Sequence, residues 1–91
     1  MDGIGAPRVF PEMWELARQL LDGSLVASLR EVAAAVGLLA ERSHVIAEGA
    51  GAVPVAAALA GRAGGGRVVC IVSGGNIDAG KLVKILQGDV P

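Results

Sequence analysis

Aromatic residues are nearly missing from this 91-residue chain: Phe10 and Trp14 are the whole supply, and there is no tyrosine. A core without large rings must collect its apolar area from many small side chains, each of which removes little surface from water. Cysteine is represented by Cys70 alone, which rules out an internal disulfide and fits a reducing, cytoplasmic compartment. A single histidine, His44, beside that single cysteine excludes the usual nitrogen and sulfur ligand sets of a metal site. Charge of one sign is not in excess either. The formal net charge is −1, so there is no basic field to hold a phosphate backbone, and nucleic acid is not an expected partner. The longest uncharged run, from Gly49 to Gly61, falls well short of the roughly 20 apolar residues of a membrane-spanning helix. The opening Met1-Asp2-Gly3 has neither the basic nor the apolar region of a secretory signal.

What is present is apolar and small. Hydrophobic residues make up 53 % of the chain and the mean hydropathy is +0.58, which excludes disorder. Fourteen glycines raise the entropy cost of ordering the backbone, so a lone monomer is expected to be marginal. At this length the chain is one domain or part of one.

Hydrophobic spacing predicts four helices. Pro11 suits a first helical turn, and Met13, Leu16, Ala17, Leu20 and Leu21 then share one face, with Gly23 as a stop. Ser28 and Glu31 have the Ser-x-x-Glu spacing of a capping box ahead of a second helix. That helix carries Leu29, Val32, Ala33, Val36, Leu39 and Ala40 on its apolar side and ends near Arg42. A third helix is expected from about Gly51 to Leu59, with Pro54 in its first turn, and a fourth after Asp78 with Leu82, Val83, Ile85 and Leu86 inward. Between them, Leu25-Val26-Ala27 reads as a short strand and Val68-Val69-Cys70-Ile71-Val72 as a longer one, with residues 44–48 extended or turning. The expected fold class is therefore α/β, a partial parallel sheet in the order α-β-α-α-β-α. Residues 68–72 do not alternate in polarity, so they ask for burial on both faces and for neighbours on both edges. Two short strands cannot supply that, and completion by oligomerisation follows as an expectation.

Two glycine-rich turns are the chemical candidates. Ser73-Gly74-Gly75-Asn76 follows the longer strand and precedes a helix. That is where an α/β sheet binds ligands, with glycines that admit a close approach and a hydroxyl that can donate. The same run is also an adequate strand-to-helix turn and nothing more. Glu48-Gly49-Ala50-Gly51-Ala52-Val53-Pro54 fails as a dinucleotide fingerprint, because Pro54 takes the third glycine position and no acid follows before Asp78. Its glycines read as close-packing positions. Glu48 is the only charge between His44 and Arg62, and two roles stay open for it: a carboxylate working in apolar surroundings, or a helix cap. Cys70 reads as core. Lys81 and Lys84, the only lysines, lie three apart on the solvated edge of the last helix.

Taken together, Glu48-Gly49-Ala50-Gly51-Ala52, a helix, and then residues 68–72 running into Ser73-Gly74-Gly75-Asn76-Ile77-Asp78 resemble the C-terminal part of threonine dehydratases. These are fold-type II pyridoxal-phosphate (PLP) enzymes, with serine dehydratase and serine racemase as relatives. Asp2-Gly3-Ile4 and the helix from Glu31 to Arg42 extend the resemblance over nearly the whole chain. It implies that residues 1–91 are a single partial domain, the C-terminal portion of a fold-type II large domain. It also implies that the Ser73 hydroxyl hydrogen-bonds the pyridine nitrogen of PLP, with Gly74 beside it and Glu48 near the ring. The family removes water from threonine or serine and releases ammonia and a 2-oxo acid. The Ser-Phe-Lys-like segment that carries the family's Schiff-base lysine has no counterpart in these 91 residues, and Gly64-Gly65-Gly66 lies in the wrong place to be its phosphate loop. The expectation is a fragment that contributes the pyridine-nitrogen side of a PLP site. By itself it would neither bind PLP nor act as an ammonia-lyase, and its partners would be further copies or a complementing polypeptide. The alternative is a non-enzymatic, self-associating α/β module.

Overall fold

A computed structural model describes residues 9–91; the loop expected over residues 1–7 and the Asp2-Gly3-Ile4 match lie outside the described residues. Helices form where capping and periodicity place them. α1 (Pro11–Leu20) begins with proline at its first position, where the missing N–H costs no hydrogen bond. α2 (Leu29–Leu38) opens with the capping box. The Glu31 amide donates to Ser28 Oγ at 3.1 Å and the Ser28 amide to the Glu31 carboxylate at 2.9 Å, so two end amides are satisfied reciprocally.

α2 runs on into a π-helical turn (Leu39–Ser43) that ends with His44 in the left-handed region at φ 55°. The amides of His44 and Val45 both return to the Leu39 carbonyl. α3 (Gly49–Leu59) starts two residues earlier than its glycines suggest, so Pro54 falls in the second turn. There it has no N–H to offer the Ala50 carbonyl. α4 (Ala79–Leu86) follows Asp78 at the N-cap.

The core sits between α2, α3 and α4, and it is made of small residues. Val32, Ala33, Ala35 and Val36 of α2 meet Ala47, Ala52 and Ala56, with Ile85 closing the far side. Gly37 belongs to the same contact, since a methyl group there would stand 3.5 Å from the Ile85 side chain. Val72, Ile77 and Leu82 pack on this cluster from outside. By contrast α1 buries no residue and packs on no other helix. The radius of gyration is accordingly 13.8 Å, above the ~12 Å of a compact chain of this length.

The α/β expectation is corrected here: among the described residues there is no strand and no sheet. Residues 25–27, 44–48 and 68–72 are extended or irregular and belong to no ladder. A strand is defined by a neighbour's backbone about 4.8 Å away, not by its own composition. Residues 68–72 lie as a single extended run. Cys70 and Val72 are half-buried toward the helices, while Val69 and Ile71 are 91 % and 74 % exposed. Their β-branched character favours extension, and no second backbone lies alongside to convert it into pairing. The order among the described residues is thus four α-helices and one π-helical turn joined by irregular segments, with no parallel sheet.

Candidate functional site

The two glycine-rich turns, a quarter of the chain apart in sequence, come together at the N-terminus of α3. Residues 46–48 approach α3 in extended conformation, with Glu48 at the N-cap. Residues 73–75 pass directly over that end. The Glu48 amide donates to the Gly74 carbonyl at 3.0 Å, while the Glu48 carbonyl accepts from Ala52 at 3.1 Å as α3 begins. One of the four amides that a helix start leaves without an internal partner has nearby company in the Ser73–Asn76 turn rather than in water.

Glycine is required on both sides of this contact. A methyl group on Gly51 would stand 2.6 Å from the Gly74 carbonyl oxygen, and one on Gly75 would stand 2.5 Å from the Ile46 carbonyl oxygen. Real side chains do not approach that closely, so either substitution must move backbone. A methyl on Gly74 would strike the Glu48 carboxylate. The Glu48 side chain therefore lies against Gly74, and it makes no capping bond to α3. Of the two roles left open for this carboxylate, side-chain capping is not the one the structure adopts.

Ser73 is exposed, whereas Gly74 and Glu48 are half-buried. The hydroxyl thus stands at the outer edge of the contact with its backbone neighbour tied down. From the extended run before the turn, Cys70 Sγ donates to the Pro54 carbonyl at 3.6 Å, which anchors that run on α3. Cys70 is half-buried here, short of the full core position its sequence context suggests.

Other candidates lie elsewhere. His44 is exposed at the end of the π-helical turn, and Lys81 and Lys84 stand on α4. Among the described residues no group of three His, Cys, Asp or Glu side chains could hold a metal, and no helix is long and apolar enough to cross a membrane. A hollow of about 410 Å³ lies between α2 and the tail after α4, lined by Arg30, Ala33, Gly37, Ile85 and Asp89, and none of the three predicted site residues borders it. The structure thus brings Ser73, Gly74 and Glu48 together. The close-packing reading of the first turn holds at Gly51, although its partner is the Gly74 carbonyl and not a sheet. At Gly75, read as admitting a ligand, sequence reasoning missed the approach of the Ile46 carbonyl, for which no local signal exists.

The fit to PLP can be judged on these atoms. A hydroxyl donor beside glycines that exclude any Cβ suits the edge of a flat heteroaromatic ring. Nothing in this cluster is a lysine. The residues present fit the pyridine edge of the cofactor and no other part.

Comparison with known proteins bears on the family of the chain as a whole. The profile of the pyridoxal-phosphate-dependent enzymes matches residues 1–74, and the chain belongs to that family. Within it, the chain is similar to threonine ammonia-lyases. It is 36 % identical over 88 residues to the L-threonine ammonia-lyase of Geobacter sulfurreducens, a match covering 94 % of this chain and 22 % of the relative. To the L-threonine ammonia-lyase of Thermotoga maritima it is 37 % identical over 87 residues, with the same coverage of 94 % and 22 %. The catabolic L-threonine dehydratase of Staphylococcus aureus is 35 % identical over 91 residues, covering 94 % of this chain and 26 % of the relative. The chain spans about a quarter of the length of these relatives. No solved structure matches.

Proposed function

We propose that these 91 residues contribute the pyridine-nitrogen side of a PLP site in an ammonia-lyase acting on threonine or serine. The observation that carries the reading is the closure of the Ser73–Asn76 turn on the N-terminus of α3 through the Glu48 amide and the Gly74 carbonyl. Ser73 would donate its hydroxyl to the ring nitrogen. A neutral donor at that atom leaves the nitrogen largely unprotonated, which moderates electron withdrawal and suits elimination of a β-hydroxyl. Gly74 would let the ring approach the backbone, and the Glu48 carboxylate would stand next to the ring edge. PLP, when bound, supplies the electron sink that loosens the substrate's α-proton.

Ser73, Gly74 and Glu48 supply neither a lysine for covalent attachment of the cofactor nor a phosphate grip. Activity therefore requires polypeptide beyond these 91 residues that carries both. The chain alone, incubated with PLP and L-threonine, is expected to form no 2-oxobutyrate, and release above blank overturns the reading. Adding the N-terminal remainder of a threonine ammonia-lyase such as that of Geobacter sulfurreducens is expected to restore turnover. Ser73→Ala should then lower it about 10- to 100-fold, by loss of one positioned hydrogen bond at the ring.

A second reading is favoured by the exposed apolar side chains. Phe10 and Leu20 on or beside α1 are 73 % and 71 % exposed, and Val69 and Ile71 add to them. In this reading the chain is a non-enzymatic module that self-associates through these faces. Sedimentation velocity separates the two: a monomer at high concentration removes self-association and leaves the lyase reading untouched.

A further inference from the structure

We infer that Gly51 and Gly75 are positioning residues for Ser73: by having no side chain they let two backbones close on each other, and that closure sets where the serine hydroxyl stands. The inference rests on the proposed role of Ser73 at the pyridine nitrogen. Its own evidence is the geometry around the Gly74 carbonyl.

That oxygen accepts the Glu48 amide at 3.0 Å and lies 2.6 Å from the place a Gly51 Cβ would occupy. The Glu48 amide thus holds this oxygen, and the missing Cβ at Gly51 gives it the room to come that close. One residue further on, the Ile46 carbonyl lies 2.5 Å from where a Gly75 Cβ would be. Both clashes would be with backbone, not with the movable end of a side chain, so neither can be relieved by a rotamer change. Ser73 precedes this doubly fixed pair and is itself exposed. With no burial of its own to hold it, its position is inherited from Gly74 and Gly75. Neither Gly51 nor Gly75 has a positive φ, so the requirement for glycine is one of space and not of backbone conformation.

The test uses the full chain, with Gly51→Ala and Gly75→Ala as variants and Gly37→Ala as the control, since a methyl at Gly37 meets only ordinary contact. Amide hydrogen exchange is read at Glu48 and, for integrity of the fold, at Val36 in α2. Pyridoxine is the probe, added to the chain complemented with the N-terminal remainder of a threonine ammonia-lyase because the chain by itself is not expected to hold the cofactor, and the Ser73 amide resonance reports on it. In Gly51→Ala, exchange at Glu48 is expected to quicken about tenfold, as loss of one hydrogen bond of ordinary strength allows, with Val36 unchanged. The pyridoxine-induced shift at Ser73 should fall several-fold, whereas Gly37→Ala should keep both readouts. Gly75→Ala acts on a different contact and should reduce the Ser73 shift even if Gly51→Ala folds poorly. Either variant retaining Glu48 protection and the full Ser73 shift overturns the inference. If the unmodified chain's Ser73 ignores pyridoxine, the cofactor reading fails; the exchange rate at Glu48 still decides whether Gly51 holds the turn.

Discussion

α1 and the α2–α3–α4 body invert the usual relation between side-chain size and burial. Phe10, Met13, Trp14, Leu16 and Leu20, among the largest apolar side chains of the protein, are all more than half exposed. The body buries Val32, Ala33, Ala35, Val36, Ala47, Ala52 and Ala56. Both regions are helical, and α1 has a clean division into apolar and polar faces, with Glu15 and Arg18 paired at 2.6 Å on the polar side. The difference shows that amphipathicity is enough to make a helix form and is not enough to give it a partner. Small residues let α2 and α3 approach closely enough to exclude water, even though each contributes little area. The large residues of α1 have more to gain, and among the described residues no other helix lies against them.

If that contrast is correct, substitutions in the two regions should differ sharply. Val36→Ala, at a fully buried position, should cost about 2 kcal/mol from lost methyl burial and the cavity it leaves, read from urea unfolding. Ser28→Ala should cost about 1 kcal/mol by releasing the Glu31 amide at the start of α2; a loss under a few tenths would mean that packing alone defines this end of the helix.

The same junction gives the body a larger pH dependence than α1, where the hydrogen bond from Arg18 also lowers the Glu15 pKa. Hydrogen bonding from Arg62, at 2.7 Å, and from the Ser28 amide lowers the Glu31 pKa to about 2. A carboxyl whose folded pKa lies below its ordinary value binds its proton more readily when unfolded. Its stabilisation is therefore complete above about pH 4.5 and is lost as pH falls toward 2. Arg62→Ala removes the largest cause of the depression, so the fall in stability across that window should become shallower, and acid titration followed by circular dichroism measures it.

His44→Gly probes the hinge between the π-helical turn and the site. It relieves a left-handed conformation at φ 55° and should stabilise by about 0.5 kcal/mol, the strain relieved less the added entropy of glycine. The smallest effect belongs to α1. Leu20→Ala should change stability by less than about 0.5 kcal/mol, and a cost of 2 kcal/mol would show that α1 is packed in solution and would abolish the comparison.

Much of the helical layout was legible in the chain. The capping box at Ser28 and Glu31, Pro11 at a helix start and Asp78 before the last helix are local signals, and each stands where expected. The start of α3 was misplaced by two residues because Pro54 is tolerated one turn deeper than its preference suggests. The strands were misread for a different reason. Val68-Val69-Cys70-Ile71-Val72 does extend, yet an unbroken hydrophobic run is buried on both faces only where a sheet lies around it, and Val69 and Ile71 are open to solvent. Of the site, Ser73, Gly74 and Glu48 were legible as a set through family resemblance, whereas the need for glycine at 51 and 75 depends on carbonyls 23 and 29 positions away in the chain.

By itself, then, the sequence determined what local chemistry can determine: which segments become helices, where they are capped, and membership of the PLP-dependent family through two short motifs in a fixed order. The tertiary structure decided the rest. It brought the Gly74 carbonyl onto the Glu48 amide and, among the described residues, left α1 without a helical neighbour and residues 68–72 extended but unpaired. A helix closes its hydrogen bonds within its own segment, so its signal is written locally. A strand pair, a buried face and a contact between two turns each depend on a second stretch of backbone, and only the folded chain specifies whether that stretch is there.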